Sequence, residues 1–359
     1  MSGLVSVIVP TYNRAYCIGA TIESIQRQTY EDWEAIVVDD GSTDSTGELM
    51  ERLSAQDARI RYFRRPNGGV AAARNTALSH ARGDFVAFLD SDDLWESWKL
   101  EAQVQCLVAN PAAGMIWTDM HAIDDHGNLL ADRYLKRMYG AYKLVEGMRL
   151  FRSAVLAKDR LPPVARDLLF GKSGLPESAM LYSGNIYRSM LLGNLVHTST
   201  VMLTRERLEQ VRCFDEDLRL AGEDYDFHLR TCRCGEVAFL DVPSISYRIG
   251  AADQLTRSDY HLQIARNTLT TVSKALSSQI PGEAIGRRLE HRILAKAHAW
   301  VGHELFYAGQ YREARAELRR SLLNRPWQPE VMFRWVAALL PASVIEMIRL
   351  MRSEWLSFF

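Results

Sequence analysis

Over its first hundred positions the chain alternates short, almost wholly apolar runs with stretches in which apolar residues return every three or four positions. VSVIVP from Val5, EAIVVDD from Glu34, IRYFRR from Ile60 and FVAFLD from Phe85 read as strands. The segments between them, roughly residues 18 to 28, from Ser45 and from Val70, read as helices. Strands that are apolar on both faces and alternate with helices predict an α/β fold with a mostly parallel central sheet covered on both sides. Three of the strands hand over to polar clusters: Pro10-Thr11-Tyr12-Asn13-Arg14, Asp39-Asp40-Gly41-Ser42 and Asp90-Ser91-Asp92-Asp93. Ligands of open α/β sheets sit beyond the carboxyl ends of the strands, so the three clusters are expected to share one rim.

Further along the pattern is mixed. GMIWTD reads as a strand, DDHGN as a turn, and residues 133 to 166 as a long, basic helical stretch. HTSTVMLTRERLEQV reads as a strand followed by a helix, and AGEDYDFHLRTCRCG as a helix start with acids in the first turn, where the macrodipole favours them. Beyond SISYRIG the pattern is helical. Gly302, Leu305, Gly309, Tyr311, Ala314, Leu318 and Pro326 fall at the spacing of one tetratricopeptide-like hairpin, either a cap on the sheet domain or a partner-binding module. The expected division is 1–105, 106–250 with an inserted segment near 124–194, and a helical extension over 251–359.

Charge and composition remove several function classes. A formal charge of −1 gives no basic field of the kind a nucleic-acid binder needs, so no nucleic-acid partner is expected. Five scattered cysteines do not make a disulfide framework, and Cys232 and Cys234 fall short of a structural zinc site, which fits a reducing cytoplasm. MSGLVSVIVPTYNR lacks the basic start and apolar run of a signal peptide. The most apolar C-terminal stretch, Val331 to Met351, is interrupted by Arg334, Pro341, Glu346 and Arg349, so it reads poorly as a membrane span and is left able to lie on a membrane. The basic residues between Arg133 and Arg166 either meet anionic head groups with it or form a solvated face. A cytoplasmic protein is expected, either free or peripheral on the cytoplasmic face of the inner membrane.

The polar clusters carry the chemistry. Asp90 and Asp92, one residue apart at a strand end, cannot both stay ionised nearby without a cation, and a hard divalent metal, Mn2+ or Mg2+, meets that need. An acid such as Asp40 in a tight loop can accept the imide hydrogen of a uracil ring, with Gly41 allowing close approach. Pro66-Asn67-Gly68-Gly69 followed by small residues starts a helix whose backbone and Arg74 can approach a nucleotide. G-x-G-x-x-G and G-x-x-x-x-G-K-[ST] are both missing, which weighs against a dehydrogenase and a P-loop ATPase. Asp93 reads as the cap of a helix starting near Leu94, Trp95 and Trp98 as packing, and His197 as a hydrogen-bonded surface or core histidine ahead of substrate contact.

VSVIVPTYNR, VVDDGSTD, NGGVAAARN, GDFVAFLDSDD and AGEDYDFHLR occur in the order and spacing of glycosyltransferase family 2, and the chain resembles that family over roughly residues 4 to 250. The resemblance implies a GT-A fold, Rossmann-like, and an inverting enzyme that moves a single sugar from a nucleotide-diphosphate sugar, with UDP expected, to a saccharide or lipid-linked saccharide in surface polysaccharide synthesis. It implies that Pro10, Thr11, Tyr12 and Arg14 border the nucleoside, with Asp40 on the base and Asp39 beside it. Gly69, Arg74, Asp90, Ser91 and Arg248 complete the donor site, Asp92 with Asp90 holds the metal, and Asp224, with Glu223 beside it, is the base. Relatives often follow the Tyr247-Arg248 pair with a metal-binding histidine, where this chain has Ile249 and Gly250. The processive members' Q-x-x-R-W motif and membrane helices are missing, which favours single-sugar transfer. A nucleotidyltransferase and a catalytically idle scaffold are the rival readings.

Overall fold

The computed structural model describes residues 3–146, 150–172, 175–250, 258–278, 285–341 and 344. They fall into two compact units: Met1–Arg219 with Glu223–Gln254, and Leu220–Gly222 with Leu255–Phe359.

The first unit is built on one sheet. In chain order its elements are β1 (Val5–Thr11), α1 (Ile18–Gln26), β2 (Trp33–Asp39), α2 (Thr46–Gln56), β3 (Ile60–Arg64), α3 (Val70–His80), β4 (Phe85–Phe88), β5 (Leu94–Trp95), α4 (Lys99–Ala109), β6 (Met115–Ile123), β7 (Leu129–Ala131), β8 (Ser153–Leu156), β9 (Met180–Gly184), β10 (Met202–Thr204), α5 (Arg205–Val211), α6 (Glu223–Arg233) and β11 (Val237–Arg248). The strands run in the order β3-β2-β1-β4-β10-β6-β11-β9-β8, with β5 added to β11 and β7 to β6. From β3 to β4 every pairing is parallel, and every residue of β1 and β2 is buried. That is the geometry expected when helices cover both faces of near-continuous apolar strands. Beyond β4 the sheet is mixed: β10 runs antiparallel to both β4 and β6, while β6 and β11 are parallel.

Register brings the strand ends level. Thr11 pairs with Asp39, which pairs with Arg64, and Phe88 pairs with Ile8, so the residues that follow β1, β2 and β4 leave the sheet on one side. The turn after β2 depends on Gly41, whose φ of +84° is a left-handed value that an L side chain adopts only with strain; a Cβ there would also lie 3.0 Å from the Asn67 amide nitrogen.

Two expectations fail here. The stretch from Arg133 to Arg166 is not one long helix but the short pieces Leu135–Met138, Ala141–Val145, Ala157–Arg160 and Pro163–Arg166, with strand β8 between them. Pro162 and Pro163 cannot continue a preceding helix, which accounts for the last break. No helix starts near Leu94 either: Leu94 and Trp95 form β5 against Ser246 and Ile245 of β11, and α4 begins at Lys99. Trp95 is buried and its indole Nε1 donates to the Ser199 carbonyl at 3.0 Å.

The second unit is helical: α7 (His261–Ser277), α8 (Arg287–Tyr307), α9 (Tyr311–Asn324) and α10 (Pro329–Ala337). Ala265, Val301, Leu305, Phe306, Ala314, Ala337 and Ala338 form its core. Helices α8 and α9 make the hairpin read from the spacing. Gly302 is where they approach, since a Cβ there would lie 2.7 Å from Leu318 Cγ. The Ser321 hydroxyl donates to the Ala295 carbonyl at 2.7 Å across the same interface. Among the described residues no helix is long and apolar enough to cross a membrane.

Candidate active site

The β2 end is closed by its own neighbours. Asp39 accepts the Ser42 amide at 2.7 Å and the Tyr62 hydroxyl at 2.9 Å. Asp40 accepts the amides of Gly68 at 3.0 Å and Gly69 at 2.7 Å, with Arg65 Nε 3.3 Å from its carboxylate. Both carboxylates are buried, so this loop is clamped to the start of α3. Across the rim, Asn13 turns the chain with φ of 52° and its side chain accepts the Thr43 amide at 2.8 Å. Tyr12 is exposed beside it, while Thr11 is buried with its hydroxyl unpartnered.

The β4 end is crowded instead. The Asp90 amide donates to the Ser199 hydroxyl at 3.1 Å, and its carboxylate takes Arg74 Nη2 at 2.7 Å. The other nitrogen of that guanidinium, Nη1, lies 2.6 Å from Glu223 at the start of α6. Arg74 is buried, so it acts as an internal strut between the strand end and the helix start. Burial works against ionising Asp90, but Arg74 and then His197 outweigh it and hold its carboxyl below the ordinary range. Asp92 is in the opposite condition: burial, then Asp93 and Asp90, push it up to about 7, with Arg14 3.7 Å away.

Asp93 is fully buried and faces His197 Nε2 at 3.4 Å and the Arg248 amide at 3.4 Å. It caps no helix, because none follows. His197 Nδ1 lies 3.3 Å from the Tyr139 hydroxyl, and its ring packs edge-on to Tyr247 with centroids 4.9 Å apart. Burial would lower the His197 pKa, but Asp93 and Asp90 raise it overall. One donor atom each from Asp90, Asp93 and His197 lies within 4.8 Å of the others. Two carboxylates and an imidazole are a donor set suited to Mn2+, and a Mg2+ ion accepts the oxygens more readily than the nitrogen.

Helix α6 supplies the remaining acids. Glu223 is occupied by Arg74, and Asp226 is paired with Arg230 at 2.8 Å. Asp224 accepts the Tyr225 amide at 2.7 Å and stays partly exposed. The macrodipole alone would lower its pKa; burial raises it instead, and the attraction of Arg74 only partly offsets that. His228, one turn on, is held neutral, its pKa lowered to about 3 by burial and by Arg74.

Residues 6–151, which carry the β1, β2 and β4 ends, match the family described as Glycosyl transferase family 2. Over these residues the chain is similar to that family. Over 108 residues the chain is 46% identical to the UDP-Glc:alpha-D-GlcNAc-diphosphoundecaprenol beta-1,3-glucosyltransferase WfgD of Escherichia coli, a match covering 30% of this chain and 42% of that protein. The chain spans less than half the length of the curated relatives it matches first. Two solved structures share the fold across nearly the whole chain. TarS 1–349 of S. aureus in complex with UDP-GlcNAc aligns at 17% identity and a TM-score of 0.56, covering 96% of this chain and 91% of that one. The mannosyltransferase PcManGT of Pyrobaculum calidifontis in complex with GDP-Man and Mn2+ aligns at 19% and 0.51, covering 95% and 86%. The GT-A arrangement expected of family 2 is thus the arrangement present.

Set against the family 2 roles, the structure brings Asp90, Arg74 and Glu223 into direct contact, and places Asp92 beside Arg14. It does not leave Arg74, Asp39 or Asp40 turned outward. Arg248 is largely buried, its guanidinium donating to the carbonyls of Asp92, Asp124 and Asp125. Ser91 offers its carbonyl to the Thr21 hydroxyl at 2.9 Å, and Pro10 is buried in β1. Gly69 takes φ of +90° just before α3, leaving its amide aimed at Asp40. His197, Asp93 and Tyr139 are the site residues that motif reading did not select, although the DD doublet and the His before a strand were both in view.

Proposed function

We propose that the chain is a metal-dependent, inverting glycosyltransferase that moves a single sugar from a UDP-sugar to a hydroxyl of a saccharide or lipid-linked saccharide during surface polysaccharide assembly. The observation that carries this reading is the strut: buried Arg74 joins the metal-ligating strand end at Asp90 to the helix start that bears Asp224, across 149 residues of sequence. Donor end and proton acceptor are thereby held in one rigid frame. The family match over residues 6–151, the UDP-Glc named for the Escherichia coli relative, and the UDP-GlcNAc complex of the fold neighbour support a uridine donor.

In this reading residues 1–105 hold the donor and residues 106–250 the acceptor. Tyr12 and the clamped Asp39–Gly41 turn frame the base, and Arg14 with Asp92 faces the diphosphate. An acceptor hydroxyl is a weak nucleophile at neutral pH, and Asp224 takes its proton as the oxygen attacks the anomeric carbon. Burial raises the pKa of both acids, Glu223 to about 7, and what assigns the role to Asp224 is that Arg74 is bonded directly to Glu223. The sugar inverts because attack and departure occur on opposite faces. Asp90, Asp92, Asp93 and His197 are the residues that would hold the cation, and when bound it neutralises charge on the departing diphosphate. The Mn2+ in the mannosyltransferase neighbour agrees with that donor set. A cytoplasmic workplace follows from the nucleotide-sugar donor.

The test is a donor panel. Full-length protein with Mn2+ should bind one UDP-sugar selectively in calorimetry and turn it over with a lipid-linked saccharide acceptor. No binding to any nucleotide sugar, with or without Mn2+, would sink the proposal.

A further inference from the structure

Helix α10 buries one side and leaves the other bare. Val331, Ala337 and Ala338 are buried, whereas Met332, Phe333, Val336, Leu339 and Leu340 are each at least 40% exposed. Met332, Phe333 and Val336 stand three and four residues apart on one face of the helix, and Leu339 and Leu340 follow in the turn just past its end. Trp327, 83% exposed, precedes them in the turn from α9. A contiguous apolar face of this kind marks a surface that meets something other than water.

The charge around it is unlike that of the rest of the chain. Residues 285–341 carry ten Lys and Arg against five Asp and Glu, in a chain whose totals are 43 and 44. Six of these cations gather at one end of the helical hairpin. Arg287, Arg288 and Arg292 lie in the first turns of α8; Arg319 and Arg320 lie in the last turns of α9, with Arg325 just beyond. The two ends are held side by side by His291 Nδ1 and Asn324 Oδ1, 3.0 Å apart. From this end the chain enters Trp327 and then α10.

We propose that this face docks on an anionic phospholipid bilayer, with α10 in the interfacial plane and the arginine end over the head groups. An exposed tryptophan, a strip of Phe, Met, Val and Leu, and flanking arginines are the chemistry of a helix that lies on a membrane. A second copy of the chain suits the face less well. A two-fold contact through α10 would set a surface with this cationic excess against its own image, and like charges would oppose it. The inference stands on this surface alone and is independent of the reaction proposed above.

Vesicle flotation of the full chain tests it, with phosphatidylglycerol-containing vesicles against pure phosphatidylcholine ones. The wild type should float with the anionic vesicles only, and less so as salt rises. Phe333→Glu with Val336→Glu should lower the bound fraction about ten-fold or more by removing apolar insertion. Arg319→Glu with Arg320→Glu should weaken it about five-fold per arginine. All are surface changes, so melting temperatures should stay near wild type. Equal flotation with neutral vesicles, or no loss in the glutamate pair at α10, overturns the proposal. So does a dimer in light scattering that the α10 pair splits while no form floats. Failure of every donor in the sugar panel leaves flotation untouched, so the two readings fail separately.

Discussion

Strand β2 ends in Asp39 and Asp40, strand β4 runs into Asp90, Asp92 and Asp93, and the two groups of carboxylates are held in different ways. At β2 each acid has backbone amides or a hydroxyl within hydrogen-bond reach, and the loop is closed by its own partners. At β4 Asp90 and Asp93 face His197 and Arg74, and Asp92 is pushed up to about 7 by burial and then by Asp93 and Asp90. Acids supplied with donors build a wall; acids left to share cations and histidine are poised for a ligand. The same sequence signal, paired aspartates at a strand end, therefore marks a closed loop in one place and, in the function proposed above, the reactive centre in the other.

The widest gap between the two should appear in catalysis. Asp224→Asn, which keeps size and removes the proposed proton acceptor on the crowded side, should cost about 10²- to 10⁴-fold in kcat with donor affinity nearly unchanged. Steady-state rates beside calorimetric donor binding would show this. Full activity in that variant would move the base elsewhere and dissolve the contrast.

Next comes the strut. Arg74→Met leaves Glu223 buried and Asp90 part-exposed with their shared counter-charge gone, and breaking the buried Arg74–Glu223 pair in this way costs about 3–5 kcal/mol. Urea denaturation at neutral pH is the measurement. A cost below about 1 kcal/mol would mean that the crowded side is not held together by charge. Asp40→Ala tests the other side: Gly68, Gly69 and Arg65 lose their acceptor, and about 1–3 kcal/mol should go with it. Its effect on kcat should be far smaller than that of Asp224→Asn, because the Asp40 carboxylate is taken up by Gly68, Gly69 and Arg65.

How much of this was open to a reader of the sequence follows the range of the interactions. The parallel strands and their acidic ends were legible, because near-continuous apolar runs and strand-end polarity are local signals. Asp93 was misread as a cap because the residues after it look helical; only the long-range pairing of Leu94 and Trp95 with β11 turns them into a strand. His197 came to the acids because β10 inserts antiparallel between β4 and β6, which no window around NLVHTST reveals. The upward displacement of Asp224 is likewise a matter of surroundings. Its position at a helix start argues for a lowered pKa, and burial overrides it. Arg74 was placed near the nucleotide from its loop, whereas Glu223 draws it inward.

The smallest effect sharpens the comparison from a third carboxylate, Glu34, near the opposite end of β2. It accepts the Ser6 hydroxyl at 2.7 Å and the Arg82 amide at 2.8 Å, with Arg61 Nη1 at 2.8 Å. Burial opposes its ionisation, but these three donors outweigh it and hold its pKa below the usual value. A depressed carboxyl pKa binds fewer protons in the folded state, so its stabilising contribution is complete above the ordinary carboxylate range and is lost as pH falls through the folded-state value. Glu34→Gln should therefore cost on the order of 1 kcal/mol at pH 7, and the difference from wild type should shrink as the solution is acidified. Denaturation midpoints across that range would show it. A constant difference at every pH would mean that shape rather than charge holds Glu34, and that acids well supplied with donors owe their stability to hydrogen bonds alone.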